Sequence, residues 1–221
     1  MAEVAVQQEK EAIFSKKRIK LLTDPLNDNN PVTVQVLGIC SSLAITVQLK
    51  PALLMFAGVL FVVAMGNVVV SALRNLIPNR VRIIAQLVIV AGLVSIVDML
   101  LKAYQYDVSK QLSVFVGLIV TNCIVMGRLE AFAMANKPWP SFLDGVGNSV
   151  GYGILLIIVA FVRELFGSGK LLGFTIVPPS FYEHGYVNNG MMMMPPMALV
   201  LVGIIIWVQR SRNTKLIEVE E

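Results

Sequence analysis

Apolar residues occupy this chain in long blocks separated by short polar stretches, and six such blocks set the predicted architecture. Segment I, Pro31 to Leu49, opens with Asn30 as an N-cap and proline at the first helical position, and carries Gly38, Cys40, Ser41 and Ser42 near its middle. Segments II (Pro51 to Leu73) and III (Ile83 to Leu101) are plainer runs, with Asp98 the only acid in III. Segment IV, Leu112 to Met126, is interrupted by Thr121, Asn122 and Cys123 and continues into an amphipathic tail, Leu129 to Ala135. A turn at Pro138-Trp139-Pro140 leads to Ser141 and Asp144, spaced like a capping pair that opens segment V, which ends near Phe166. Segment VI is Met191 to Val208.

Segments I and IV are each shorter than the ~20 apolar residues that a straight helix needs to cross a bilayer. Irregular backbone at that depth survives only where protein, water or a ligand satisfies its amides and carbonyls. The expected fold is therefore an all-α membrane protein of six transmembrane helices, arranged as two inverted three-helix repeats (about 31–101 and 109–209) with broken first and fourth helices. Each break carries one of the two cysteines. Inverted insertion would bring Cys40 and Cys123 together near a pseudo-twofold axis in the membrane plane.

Composition agrees with a membrane protein: 56% of residues are hydrophobic, 14% are charged, and the mean hydropathy is +0.74. Residues 1–30 are expected to form a cytoplasmic polar leader without a removable signal peptide, 31–209 a single transmembrane domain, and 210–221 a cytoplasmic tail. Within the leader, Lys10 to Leu22 mixes basic and apolar residues as a surface-lying amphipathic piece would, or serves only to orient the first helix. With six spans, thirteen of the 18 Lys and Arg fall on the side of the termini, which places both termini in the cytoplasm. Nothing points to nucleic acid, and lipids are the expected surroundings.

Two cysteines far apart in sequence, with no CxxC and a single histidine, make no self-contained metal site. The residues leave three readings open: buried packing, a disulfide, or soft-metal ligation in which half-helix amides offset thiolate charge. In the last reading two thiolates are half a set, because a [2Fe-2S] centre takes four ligands. The same residues fit an electron-transfer subunit, a secondary transporter or a cofactor-free scaffold. A transporter should show more convergent polar groups than one peripheral acid, and iron analysis separates all three.

The strings NNPVTVQVLGICSSLAIT (29 to 46), SKQLSVFVGLIVTNCIVMGRLEAFAM (109 to 134) and RELFGSGKLLG (163 to 173) resemble the D-subunit family of the sodium-translocating NADH:quinone oxidoreductases, Nqr. The likeness runs from Asp28 to Val208 and includes IPNRVRII (77 to 84) and DGVGNSVGYG (144 to 153); the leader and tail depart from it. The E subunit of the Rnf complexes is a close relative, but the serines after Cys40 and the SKQLSVFVG lead-in are nearer the Nqr pattern. The resemblance implies an inverted-repeat subunit of the bacterial inner membrane that pairs with a homologous E subunit of opposite orientation. It implies that Cys40 and Cys123 supply half the ligands of a shared [2Fe-2S] cluster. That cluster relays electrons from NADH toward ubiquinone, with FAD, FMN and riboflavin in other subunits (A, B, C and F) and Na+ as the transported ion.

Gly38, Ser41, Thr121 and Asn122 are expected around the cluster, as donors to its sulfurs or to freed carbonyls. Asp98 is expected to guide sodium or to pair with Lys102 one turn later, and Asp144 to cap segment V or admit the ion. Arg163 and Glu164 read as an interfacial anchor of segment V, as does Trp207 for VI. Met191 to Met194 read as the start of an apolar span, and His184 is assigned no role. No nucleophile with a base, phosphate loop or dinucleotide fingerprint is present, so NADH chemistry belongs to another subunit.

Overall fold

The computed structural model describes residues 22–26, 29–78, 80–104, 117–171, 174–175 and 190–212. The leader from 1 to 21, the first part of segment IV, His184 and the tail beyond Arg212 lie outside these residues.

Asn30 starts a single turn rather than a helix. Its side-chain Oδ1 accepts from the Val32 and Thr33 amides, and its Nδ2 donates to the Gly151 carbonyl. Val36 and Gly38 then take positive φ, +58° and +82°, which no helix tolerates. Of segment I, expected as a broken helix that Asn30 and Pro31 open, only Ile39–Ile45, α1, is helical. Thr46 to Gln48 break the chain a second time, and α2 (Leu49–Leu73) begins two residues before the expected Pro51, which sits in its first turn where a missing amide costs nothing. The helix α3 spans Arg82–Tyr104.

Residues 117–120 are helical, Thr121 turns, and Asn122 is extended before α4, Cys123–Arg128. The expected amphipathic tail is a π-helical turn, Leu129–Ala133, whose Leu129 carbonyl accepts from the Met134 amide. The longest element, α5, runs Pro138–Ser168. Pro138, Trp139 and Pro140 form its first turn, not a preceding loop, because Lys137 is extended and proline suits the first helical position. Lys170–Leu171 and Phe174–Thr175 pair as β1 and β2, a two-residue antiparallel hairpin. A 3-10 turn, Gly190–Met193, precedes α6, Pro195–Arg212, so the four methionines stand before the helix rather than inside it.

Antiparallel packing of α2 on α5 forms the core, with Val59, Val62, Val63, Leu156, Val159 and Ala160 fully buried. Close approach depends on glycine: a Cβ on Gly153 would lie 2.1 Å from the Phe56 ring. By contrast, α3 leaves Ile84, Val88, Ile96 and Met99 exposed. Among the described residues three helices, α2, α3 (over Arg82–Leu100) and α5, are long and apolar enough to cross a membrane.

Candidate functional site

Both cysteines sit where helices begin. Gly38, left-handed at φ +82°, turns the chain into α1 so that Cys40 occupies its first turn. Asn122 opens α4 by accepting the Ile124 amide on its side chain, which places Cys123 at the first helical position. The two sulfurs are 3.7 Å apart, and the Gly38 amide donates to Cys123 Sγ at 3.0 Å. Cys40 is exposed on the surface of the chain and Cys123 is half-buried.

A buried hydrogen-bonded chain locks the two turns together. Ser41 Oγ donates to the Gly38 carbonyl at 2.9 Å, so the Tyr152 hydroxyl, 2.7 Å away, donates to Ser41. Asn122 Nδ2 also reaches Ser41 Oγ, at 3.3 Å. Tyr152, on α5, is fully buried, and its ring lies where a side chain on Gly38 would project, 2.9 Å from an added Cβ. Sequence reading misses this tyrosine, which lies in an apolar run and looks like core. Of the residues expected near the cysteines, Gly38, Ser41 and Asn122 gather at the site. Thr121 is exposed and its hydroxyl turns back to the Gly117 carbonyl at 3.4 Å.

Two charged clamps on α5 fix the cysteine helices. Arg163 is 1% exposed and donates to Thr46 Oγ1 at 2.6 Å, to the Met192 and Met193 carbonyls at 3.0 and 2.9 Å, and to Leu43 O at 3.5 Å. Glu164 accepts the Leu49 amide at 2.6 Å. This pair therefore satisfies groups freed by the break between α1 and α2, and is not the interfacial anchor that its position near the end of segment V suggests. Trp207, by contrast, is exposed on α6.

At the other end of α5, Asp144 does not cap the helix. It is 2% exposed and takes a two-pronged ion pair from Arg128 at the end of α4, with Asn148 Nδ2 adding a bond at 3.1 Å. Ser141 is not the cap either, since its hydroxyl donates back to the Lys137 carbonyl. Asp98, on α3, pairs with Lys102 one turn on, as the sequence allows. Glu130, in the π-helical turn, pairs with Arg82 and accepts from Gln86 Nε2 at 2.9 Å.

Two thiolates bound to one tetrahedral metal, with bonds of about 2.3 Å, lie about 3.8 Å apart. The observed 3.7 Å fits that spacing, and no third Cys, His, Asp or Glu joins the pair among the described residues. Two sulfurs at this spacing suit part of a thiolate-ligated centre and are two ligands short of a full set.

Membrane-length helices packed around two neighbouring thiols at the starts of broken helices define a helical membrane protein. The chain belongs to the Rnf-Nqr family of membrane-protein subunits, whose model matches residues 18–206. It is 54% identical over 201 residues to the D subunit of the Na(+)-translocating NADH-quinone reductase of Psychromonas ingrahamii, covering 91% of this chain and 96% of that protein. It is likewise 54% identical over 207 residues to the corresponding protein of Photobacterium profundum, covering 94% and 99%. The counterpart from Aeromonas hydrophila is 53% identical over 202 residues, covering 91% and 96%.

Proposed function

We propose that this chain is the D-type membrane subunit of a sodium-translocating NADH:quinone reductase, and that Cys40 and Cys123 hold half of a [2Fe-2S] cluster shared with a homologous E-type subunit of opposite orientation. The observation that carries this reading is the 3.7 Å approach of two free sulfurs, one of them exposed toward whatever covers that face. When bound, such a cluster passes single electrons between flavin-bearing subunits. This chain's own residues hold its two ligands at fixed separation through Gly38, Ser41, Asn122 and Tyr152, and lend one amide to Cys123 sulfur. The reading extends to six spans in two inverted repeats, to a bacterial inner-membrane location with both termini cytoplasmic, and to assembly with A, B, C and F subunits.

A sodium path past Asp98 and Asp144 belongs to the same proposal. Each carboxylate already holds a cation, Lys102 or Arg128, so an ion passing either must compete with an ion pair. Competition at the exposed Asp98 pair costs less than at the buried Asp144 pair.

The test is cysteine replacement in the coexpressed complex. Cys40→Ser and Cys123→Ser should each abolish the cluster's electron paramagnetic resonance signal, lower iron by about two atoms per complex, and stop quinone reduction. Full activity with unchanged iron in either variant overturns the reading and leaves a transporter or a scaffold.

A further inference from the structure

A groove of about 680 Å³ lies between α5 and α6. Ile154 and Ile158 line one wall, Ile204 and Val208 the other, and Thr33 and Arg212 make one end polar. The volume is that of a small-ligand site, about 300–1,000 Å³. Two independent observations mark it as built to receive something. Thr33 is 3% exposed, yet its hydroxyl has no hydrogen-bond partner among the described residues, a costly state unless an occupant supplies one. The same end carries the Arg212 guanidinium, from the last turn of α6.

The chemistry of the walls selects the occupant. An extended peptide laid between isoleucines would leave its backbone amides unpaired at membrane depth, whereas an acyl chain has none to satisfy. A phosphodiester matches the two-pronged geometry of arginine, and basic pockets between helices on the cytoplasmic side favour anionic headgroups. We propose that this groove binds one anionic glycerophospholipid, its acyl chain between Ile158 and Ile204, its phosphate on Arg212, and an ester or phosphate oxygen accepting from the Thr33 hydroxyl. The site is separate from the cysteines, so it stands whether or not they bind iron.

The experiment uses the whole complex in nanodiscs with photoactivatable phosphatidylglycerol or phosphatidylcholine bearing the reactive group on the acyl chain. One arginine near a membrane surface is worth about 1 kcal/mol to an anionic headgroup, or about fivefold. Peptides containing Ile154 to Ile158 and Ile204 to Val208 should therefore label about fivefold more with the glycerol than with the choline lipid. Arg212→Gln should erase that preference and Thr33→Val should weaken labelling by both probes. Peptides around Val88, exposed on α3, should label equally with either and serve as the internal standard. Equal labelling by both headgroups in the unaltered complex overturns the proposal, as does absence of label from both groove peptides, which would mean that another subunit fills the space. Should Arg212→Gln fail to assemble, the headgroup comparison in the unaltered complex decides alone.

Discussion

The Cys40 turn is opened by backbone conformation, with Gly38 at φ +82° and no side-chain cap, whereas the Cys123 turn is opened by a side chain, the Asn122 carboxamide on the Ile124 amide. Their far ends differ in the same sense. After α1 the chain breaks again, and the freed groups go to Arg163 and Glu164; after α4 it continues through a π-helical turn, with Arg128 tied to Asp144. Opposite ends of α5 supply both clamps, and its middle supplies Tyr152. Equivalent sulfur placement thus needs no equivalence of local structure, only one rigid strut that both halves grip.

The largest expected break in this comparison is Arg163→Ala. It leaves the Leu43, Met192 and Met193 carbonyls and the Thr46 hydroxyl short of a buried cation, a loss on the order of 3–5 kcal/mol. Thermal melting of the solubilised complex should show a large drop, and the cluster signal should fall with it. A melting curve unchanged from the unaltered complex would remove Arg163 as the clamp on α1. Next come the two caps. Gly38→Ala forces alanine into the left-handed region and drives its Cβ against the Tyr152 ring, costing roughly 2 kcal/mol, while Asn122→Ala loses a cap worth roughly 1 kcal/mol. Paired melts that reversed this order would mean that the side chain, not the glycine, sets the sulfur spacing. The smallest effect is expected from Asp98→Asn, which dissolves an exposed pair near the end of α3. A change of roughly 0.5 kcal/mol or less in melting should leave the cluster signal intact.

The plain spans are legible in sequence because nothing but apolar run length decides them: α2 and α3 fall within a few residues of segments II and III. The break at Thr121 and Asn122 is legible because polar residues in an apolar run have few other uses. In segment I the sequence misleads only at the start: Asn30 before Pro31 reads as the cap of a helix, but Val36 turns the chain at positive φ, and a β-branched residue there carries no signature in sequence. Asp144 and Arg163 mislead for a shared reason. Local spacing makes one a cap and the other an anchor, but their partners, Arg128 and Thr46, are 16 and 117 positions away and meet them only after folding. Tyr152 leaves no trace at all, since a tyrosine among glycines and leucines looks the same whether its hydroxyl is used or idle.

The two thiols also bear on how the protein is made. Sulfurs 3.7 Å apart need close only to about 2.0 Å to become a cystine, and the more open one is in reach of oxidants. A newly inserted copy waiting alone is therefore vulnerable to joining the two sulfurs to each other. On the proposed cluster reading, maturation has to deliver the sister protein and the iron while both side chains are still reduced, so the geometry makes the timing of assembly a requirement.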